Sequence, residues 1–191
     1  GLVVACVGDP GQMTYKRSRQ GSRTIDRAVT HVLAHKGKPH AVIDFSPYGY
    51  DERQYCSPGF NLAVGSLTRT PYGRFPQYHT SADNFDLVKP EFLADSLATY
   101  LAVLDVLEHN RMVINQKPNC EPQLGKRGLY GSLGGQSTHD SVMAMLWVLN
   151  LADGQHTLLA MAERANIEFE LIRRAAEALL ATDLLIEEKL G

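Results

Sequence analysis

Tyr78-His79-Thr80-Ser81-Ala82-Asp83-Asn84 sets a histidine between a tyrosine and a threonine, with a carboxylate four residues further on. The residue types are those of one edge of a metal site. A histidine ligand needs its second ring nitrogen fixed so that the first presents its lone pair, and a nearby carboxylate or hydroxyl does this. Asp83 and Thr80 are placed to serve. The same heptapeptide also reads as a turn, in which Asp83 and Asn84 lead into a helix expected to begin near Pro90.

Upstream, Tyr50-Asp51-Glu52-Arg53-Gln54-Tyr55-Cys56-Ser57-Pro58-Gly59-Phe60-Asn61 precedes an apolar run, Leu62 to Leu67, and the histidine segment follows. This order resembles the zinc aminopeptidase-like family, which has the phosphorylase/hydrolase-like fold. The likeness extends to its bacterial aminopeptidase-like relatives, often associated with polysaccharide biosynthesis. Members carry a loop opening on Ser-Asp-His or a variant, a turn, a strand, and then Tyr-His-Thr-X-X-Asp. The resemblance implies that His79 is a zinc ligand supported by Asp83, with Tyr78 beside the metal. It also implies a ligand carboxylate at the end of a strand, a position held here by Asp9, although Gly8-Asp9-Pro10-Gly11 is equally the composition of an ordinary turn. Asp51 falls in the Ser-Asp loop, but between Tyr50 and Glu52; Asp51, Glu52 and Arg53 also read as a solvated charge cluster.

Other parts of the family's pattern are missing. Its first ligand lies in a His-X-Asp segment, and a Glu-Glu pair supplies the general base and another ligand. This chain has no His-X-Asp, and its only Glu-Glu is Glu187-Glu188. A hydrolytic zinc site takes about three protein ligands, an open position for water and a base near that water. The expectation is therefore the C-terminal portion of a longer aminopeptidase-like metallohydrolase, holding one or two zinc ions when complete and inactive alone. Its substrate would be a peptide or another small amide. The competing reading is a non-catalytic binding or assembly protein on a degenerate peptidase fold, with a homo-oligomer or a missing N-terminal half as partner.

The elements that would position these residues alternate between strand and helix. Leu2 to Val7, Ala41 to Phe45 and Leu62 to Leu67 read as strands; Ile25 to His35 and Glu91 to Asn110 read as amphipathic helices. The pattern implies an α/β domain over residues 1–111, a partial aminopeptidase-like three-layer α/β/α arrangement on a mainly parallel sheet with ligand sites at the strand C-terminal ends. Thr14-Tyr15-Lys16-Arg17-Ser18-Arg19 adds a basic patch, in which Arg17 and Arg19 could meet an anionic substrate or simply be solvated turn charges.

A Gly/Pro-rich linker is expected over residues 112–138, and a small helical, winged-helix-like domain over 139–191. The latter reads as helices at Asp140 to Leu151, His156 to Ala165 and Glu168 to Thr182, with a strand-like end at Leu184 to Ile186. Residues 141–191 hold 4 Lys/Arg against 8 Asp/Glu, a net charge of −4. That balance opposes binding to a phosphate backbone and favours packing or protein contact. Across the chain, 44% hydrophobic and 21% charged residues support a globular core, and no apolar run approaches the ~20 residues of a membrane span. Three widely spaced cysteines argue for a reducing, cytoplasmic setting rather than a disulfide framework.

Overall fold

A computed structural model describes residues 1–129 and 139–187. The latter part of the glycine-rich linker, residues 130–138, lies outside the described residues, as do Glu188 and Lys189. The chain forms two compact units, Gly1–Leu107 and Glu108–Gly191.

The first unit is an α/β fold on a four-stranded sheet. Its strands are β1 (Leu2–Val4), β2 (Met13–Lys16), β3 (His40–Ile43) and β4 (Gly65–Thr68), in the order β1-β4-β2-β3. The sheet is mixed. β1 pairs with β4 and β2 with β3 in parallel, but β2 and β4 run antiparallel. The expectation of a mainly parallel sheet is corrected at its centre, because the basic stretch read as turn charges is itself a strand. All four residues of β2 are buried.

Side-chain alternation along β2 sorts the layers. Met13 and Tyr15 point to the face covered by helices α1 (Thr24–His35) and α3 (Pro90–His109): the Tyr15 hydroxyl donates to Asp26 at 2.8 Å, and Met13 Sδ lies 3.8 Å from Ser96 Oγ. Thr14 and Lys16 point the other way, where the short helix α2 (Glu52–Tyr55) places Glu52 against Lys16. α1 and α3 are clamped together by Asp95, which accepts from Lys36 at 2.8 Å, Lys38 at 2.7 Å and Arg69 at 2.9 Å.

Helix α3 is turned against expectation. Its leucine stripe keeps helical spacing, yet Leu97, Leu101 and Leu104 are 59%, 56% and 57% exposed, while Ser96, Thr99, Val103 and Val106 face inward. Small side chains on the inner face let the helix sit close to the sheet, with the Tyr100 hydroxyl reaching the carbonyl of Leu67.

The second unit is a winged helix. Strands β5 (Met112–Asn115), β6 (Asp153–Thr157) and β7 (Leu185–Glu187) form an antiparallel sheet in the order β6-β5-β7, with helices α4 (His139–Leu151), α5 (Leu158–Ala165) and α6 (Phe169–Leu180) packed around a shared core. Two expectations change. Met112–Asn115, read as the start of the linker, is the central strand of this sheet, and Asp153–Thr157, whose His156 and Thr157 were expected to open the helix ending at Ala165, is another strand, so that α5 begins at Leu158. Asn166, in the left-handed conformation (φ 52°), ends α5 and makes the turn into α6. Met145, Leu158, Leu159, Met161, Ile172 and Leu179 are fully buried. Among the described residues no helix is long and apolar enough to cross a membrane.

Candidate functional site

Where β1 ends, Cys6 adopts the left-handed conformation (φ 47°), unusual for a non-glycine residue. This turn sets its carbonyl to accept Arg69 N–H at 2.8 Å, joining it to the end of β4, and its thiol 3.3 Å from the Tyr50 hydroxyl. The Tyr78 side chain lies close enough to Tyr50 to act on its hydroxyl. Tyr78 in turn stacks on His79, with ring centroids 4.0 Å apart and planes 16° from parallel. A line of contacts thus runs from the end of the first strand to the Tyr-His-Thr segment. Tyr72 and Phe75 brace it edge-on, 5.1 Å from Tyr50 and 5.5 Å from Tyr78. Burial pushes the Tyr50 hydroxyl well above the ordinary tyrosine range, and the neighbouring Cys6 and Tyr78 side chains push the same way. Tyr50 therefore keeps its hydroxyl proton, and the hydroxyl stays within hydrogen-bond reach of the Cys6 thiol.

Asp9 lies just beyond, 4% exposed. Its carboxylate accepts from Gly11 N–H at 2.8 Å, from Thr70 N–H at 3.2 Å and from the Thr70 hydroxyl. These bonds splice the loop after β1 to the loop after β4. The fit is tight: a Cβ on Gly11 would lie 2.1 Å from Thr70 Oγ1. On the other side Gly8 accepts Lys89 N–H at 3.0 Å, and a Cβ there would meet Val88 at 2.6 Å. The segment that follows His79 is thereby docked onto the loop that carries Asp9.

His79 itself is exposed, in the left-handed conformation (φ 58°). Thr80 serves the local turn, its hydroxyl donating to Gln77 O at 2.8 Å and accepting Ala82 N–H at 3.2 Å. Asp83 is exposed, and its amide donates to Thr80 O at 3.1 Å. Arg17 pairs with Asp44 at 3.1 Å and Arg19 bonds Asn61 at 3.0 Å, both at the surface. Asp51 is exposed at the start of α2.

Glu52 departs most from expectation. Read as solvated, it is 0% exposed and ion-paired with Lys16, itself 5% exposed, at 2.5 Å. The Lys16 ammonium also donates to Tyr48 O at 2.8 Å, and Glu52 accepts Tyr50 N–H at 3.3 Å. The pair pins the loop that presents Tyr50. Gly49, at φ 155°, passes so close that a Cβ would lie 2.1 Å from Glu52 Oε1.

Among the described residues, no three His, Cys, Asp or Glu side chains come together as a group able to hold a metal ion. With Asp9 already accepting hydrogen bonds and His79 on an exposed turn, the four-coordinate set that zinc takes is not met by these side chains. Two partners in the site escaped sequence reasoning. Cys6 carries no local signal, and the Lys16–Glu52 pair joins residues far apart in the chain. Tyr50 stood beside Asp51 without a motif of its own.

A family profile described as a domain of unknown function (DUF4910) matches residues 1–110. The chain belongs to the DUF4910 family. A second profile, described as winged helix-turn-helix, matches residues 111–187, the span of the helical unit. This DUF4910 chain is 50% identical over 186 residues to a Clostridium acetobutylicum protein named "Putative polysaccharide biosynthesis protein with aminopeptidase-like domain", covering 97% of this chain and 43% of that protein. A crystal structure of a "putative peptidase" from Clostridium acetobutylicum superposes with a TM-score of 0.90 at 48% identity, over 98% of this chain and 42% of that one. The DUF4910 chain thus spans less than half the length of the relatives it matches.

Proposed function

We propose that this chain forms one wall of the active site of an aminopeptidase-like hydrolase acting on a peptide or another amide-containing small substrate. The supporting observation is the line Cys6–Tyr50–Tyr78–His79, which brings the Tyr-His-Thr segment to the strand end near Asp9. On this reading His79 and Asp9 are the residues of this chain that face zinc. Tyr78 orients the imidazole by stacking on it, and Tyr50, kept neutral by burial, holds Tyr78. Asp83 and Thr80 shape the turn, and Asp51, Arg17 and Arg19 flank the substrate side.

The remaining ligands and the general base belong to the part of the longer protein that this chain does not span, so the chain alone is inactive. Elemental analysis tests this on the 191-residue chain and on a chimera in which it replaces the matching part of the Clostridium acetobutylicum protein. The expected result is little zinc in the chain alone and about one or two ions per chimera, reduced by His79→Ala. A chimera that takes up no zinc after supplementation overturns the metallohydrolase reading.

A further inference from the structure

The loop after β4 starts at Thr70, bonded to Asp9, and runs on to the stacked Tyr78 and His79. Between those ends it is tied to the loop after β3. The Tyr72 hydroxyl donates to Tyr48 O at 2.7 Å, and the two tyrosine rings lie 5.8 Å apart with planes at 56°. Beside this bridge is a pocket of about 250 Å³ whose floor is the face of β2 and β4 turned away from α1 and α3. All of its lining residues belong to the first unit.

The pocket carries polar groups that the fold itself leaves unused. Ser66, in its floor, is 2% exposed, and its hydroxyl is buried with no hydrogen-bond partner among the described residues. A buried hydroxyl in that state is unfavourable until a polar group meets it. The hydroxyl of Thr68 beside it turns back to Thr14 O at 3.4 Å. Lys16 is committed to Glu52 and Tyr48 O, as Arg17 is to Asp44 and Arg19 to Asn61. Arg74 differs. It lines the same pocket, is exposed, and its guanidinium has no ion pair or hydrogen bond among the described residues. Its planar fork of donors matches a carboxylate. The volume falls below the roughly 300–1,000 Å³ of sites that enclose a whole drug-sized ligand, so the pocket takes one residue-sized end of a molecule.

We infer that this pocket binds the carboxylate-bearing end of a small organic acid. Arg74 pairs with the carboxylate, the Ser66 hydroxyl meets a polar group, and Tyr48 and Tyr72 cover the apolar part. The acid's place in a reaction rests on the hydrolase reading: it is then the acidic end of the amide substrate. The same loop carries the pocket wall and, further on, His79, while its first residue holds Asp9.

The test follows backbone amide shifts by NMR as the 191-residue chain, kept in chelator, is titrated with N-acetyl-L-threonine, with the neutral amide of that compound, and with inorganic phosphate. The acid should saturate with a Kd of about 1 mM or tighter and move the amides of Ser66, Thr68, Tyr72 and Arg74. The neutral amide should bind roughly tenfold more weakly, as should the acid to Arg74→Gln, with Arg74→Lys between. Ser66→Ala should weaken the acid by roughly threefold. No saturation, equal affinity for the acid and its amide, or indifference to Arg74→Gln would each overturn the inference. Phosphate bound as tightly as the acid would mark an adventitious ion only and overturn it too. No zinc enters the titration, whereas zinc uptake by the chimera decides the hydrolase reading, so the two fail separately.

Discussion

At the level of single residues, the buried Lys16–Glu52 pair is the most consequential contact in the first unit. Each charge is nearly or fully withdrawn from water, and each has a polar partner besides the other, Tyr48 O for the ammonium and Tyr50 N–H for the carboxylate. Removing one member leaves the other buried without its counter-charge, which typically costs about 3–5 kcal/mol. Glu52→Ala should lose stability by that amount in chemical denaturation. The paired replacement Lys16→Met, Glu52→Leu should be far milder, since it removes both charges and keeps volume. A Glu52→Ala loss below about 1 kcal/mol would mean that water reaches the site. Because the pair holds the Tyr50 loop, the single variant should also loosen the line to Tyr78.

The element level is where α1, α3 and the end of β4 meet on Asp95. Burial works to raise its carboxyl, but the hydrogen bonds from Lys36, Lys38 and Arg69 win and hold it well below the ordinary carboxylate range. A depressed folded-state value contributes stability above the unfolded value near 4, and that contribution is lost as pH falls toward the folded value. The first unit should therefore weaken steadily below about pH 5. Asp95→Asn should flatten that acid limb and cost roughly 2 kcal/mol at neutral pH, and an unchanged pH profile of the melting temperature would exclude the clamp. The helices were legible in the sequence because α1, α3 and α6 space their apolar residues helically and α4 is a long apolar run; all four lie within about two residues of the expected bounds, which is the ordinary uncertainty of helix ends. β2 and β5 were not. Thr14 and Lys16 look solvated until Glu52 arrives from far along the chain, and Met112–Asn115 leads into a proline-containing stretch that masks it. The site divides in the same way. The Tyr-His-Thr segment was readable as a motif, whereas the Cys6 and Tyr50 contacts that carry it to the first strand exist only once the chain is folded.

At the level of the whole molecule, the two units bring different surfaces. In the winged helix, the cations of α6 are occupied: Arg173 bonds Glu170 at 2.8 Å and Glu177 at 2.7 Å, and Arg174 bonds Glu170 at 2.6 Å. A helix whose arginines are neutralised by its own glutamates offers little to phosphates, which favours the protein-contact reading of this unit. Fluorescence anisotropy with random-sequence duplex DNA should show no binding at micromolar concentrations in physiological salt, and saturable, salt-sensitive binding would reverse the assignment. The winged helix is also closed on itself in a particular way. β5 opens the sheet and β7 completes it, and they lie side by side, Val113 opposite Glu187. The first strand of the unit is therefore held by its last, with paired residues roughly 5 Å apart. Loss of β7 would leave the central strand β5 with β6 as its sole strand partner among the described residues. The fold of the unit is in this sense closed only when its final strand is in place, which makes its stability a property of the whole segment rather than of its helices.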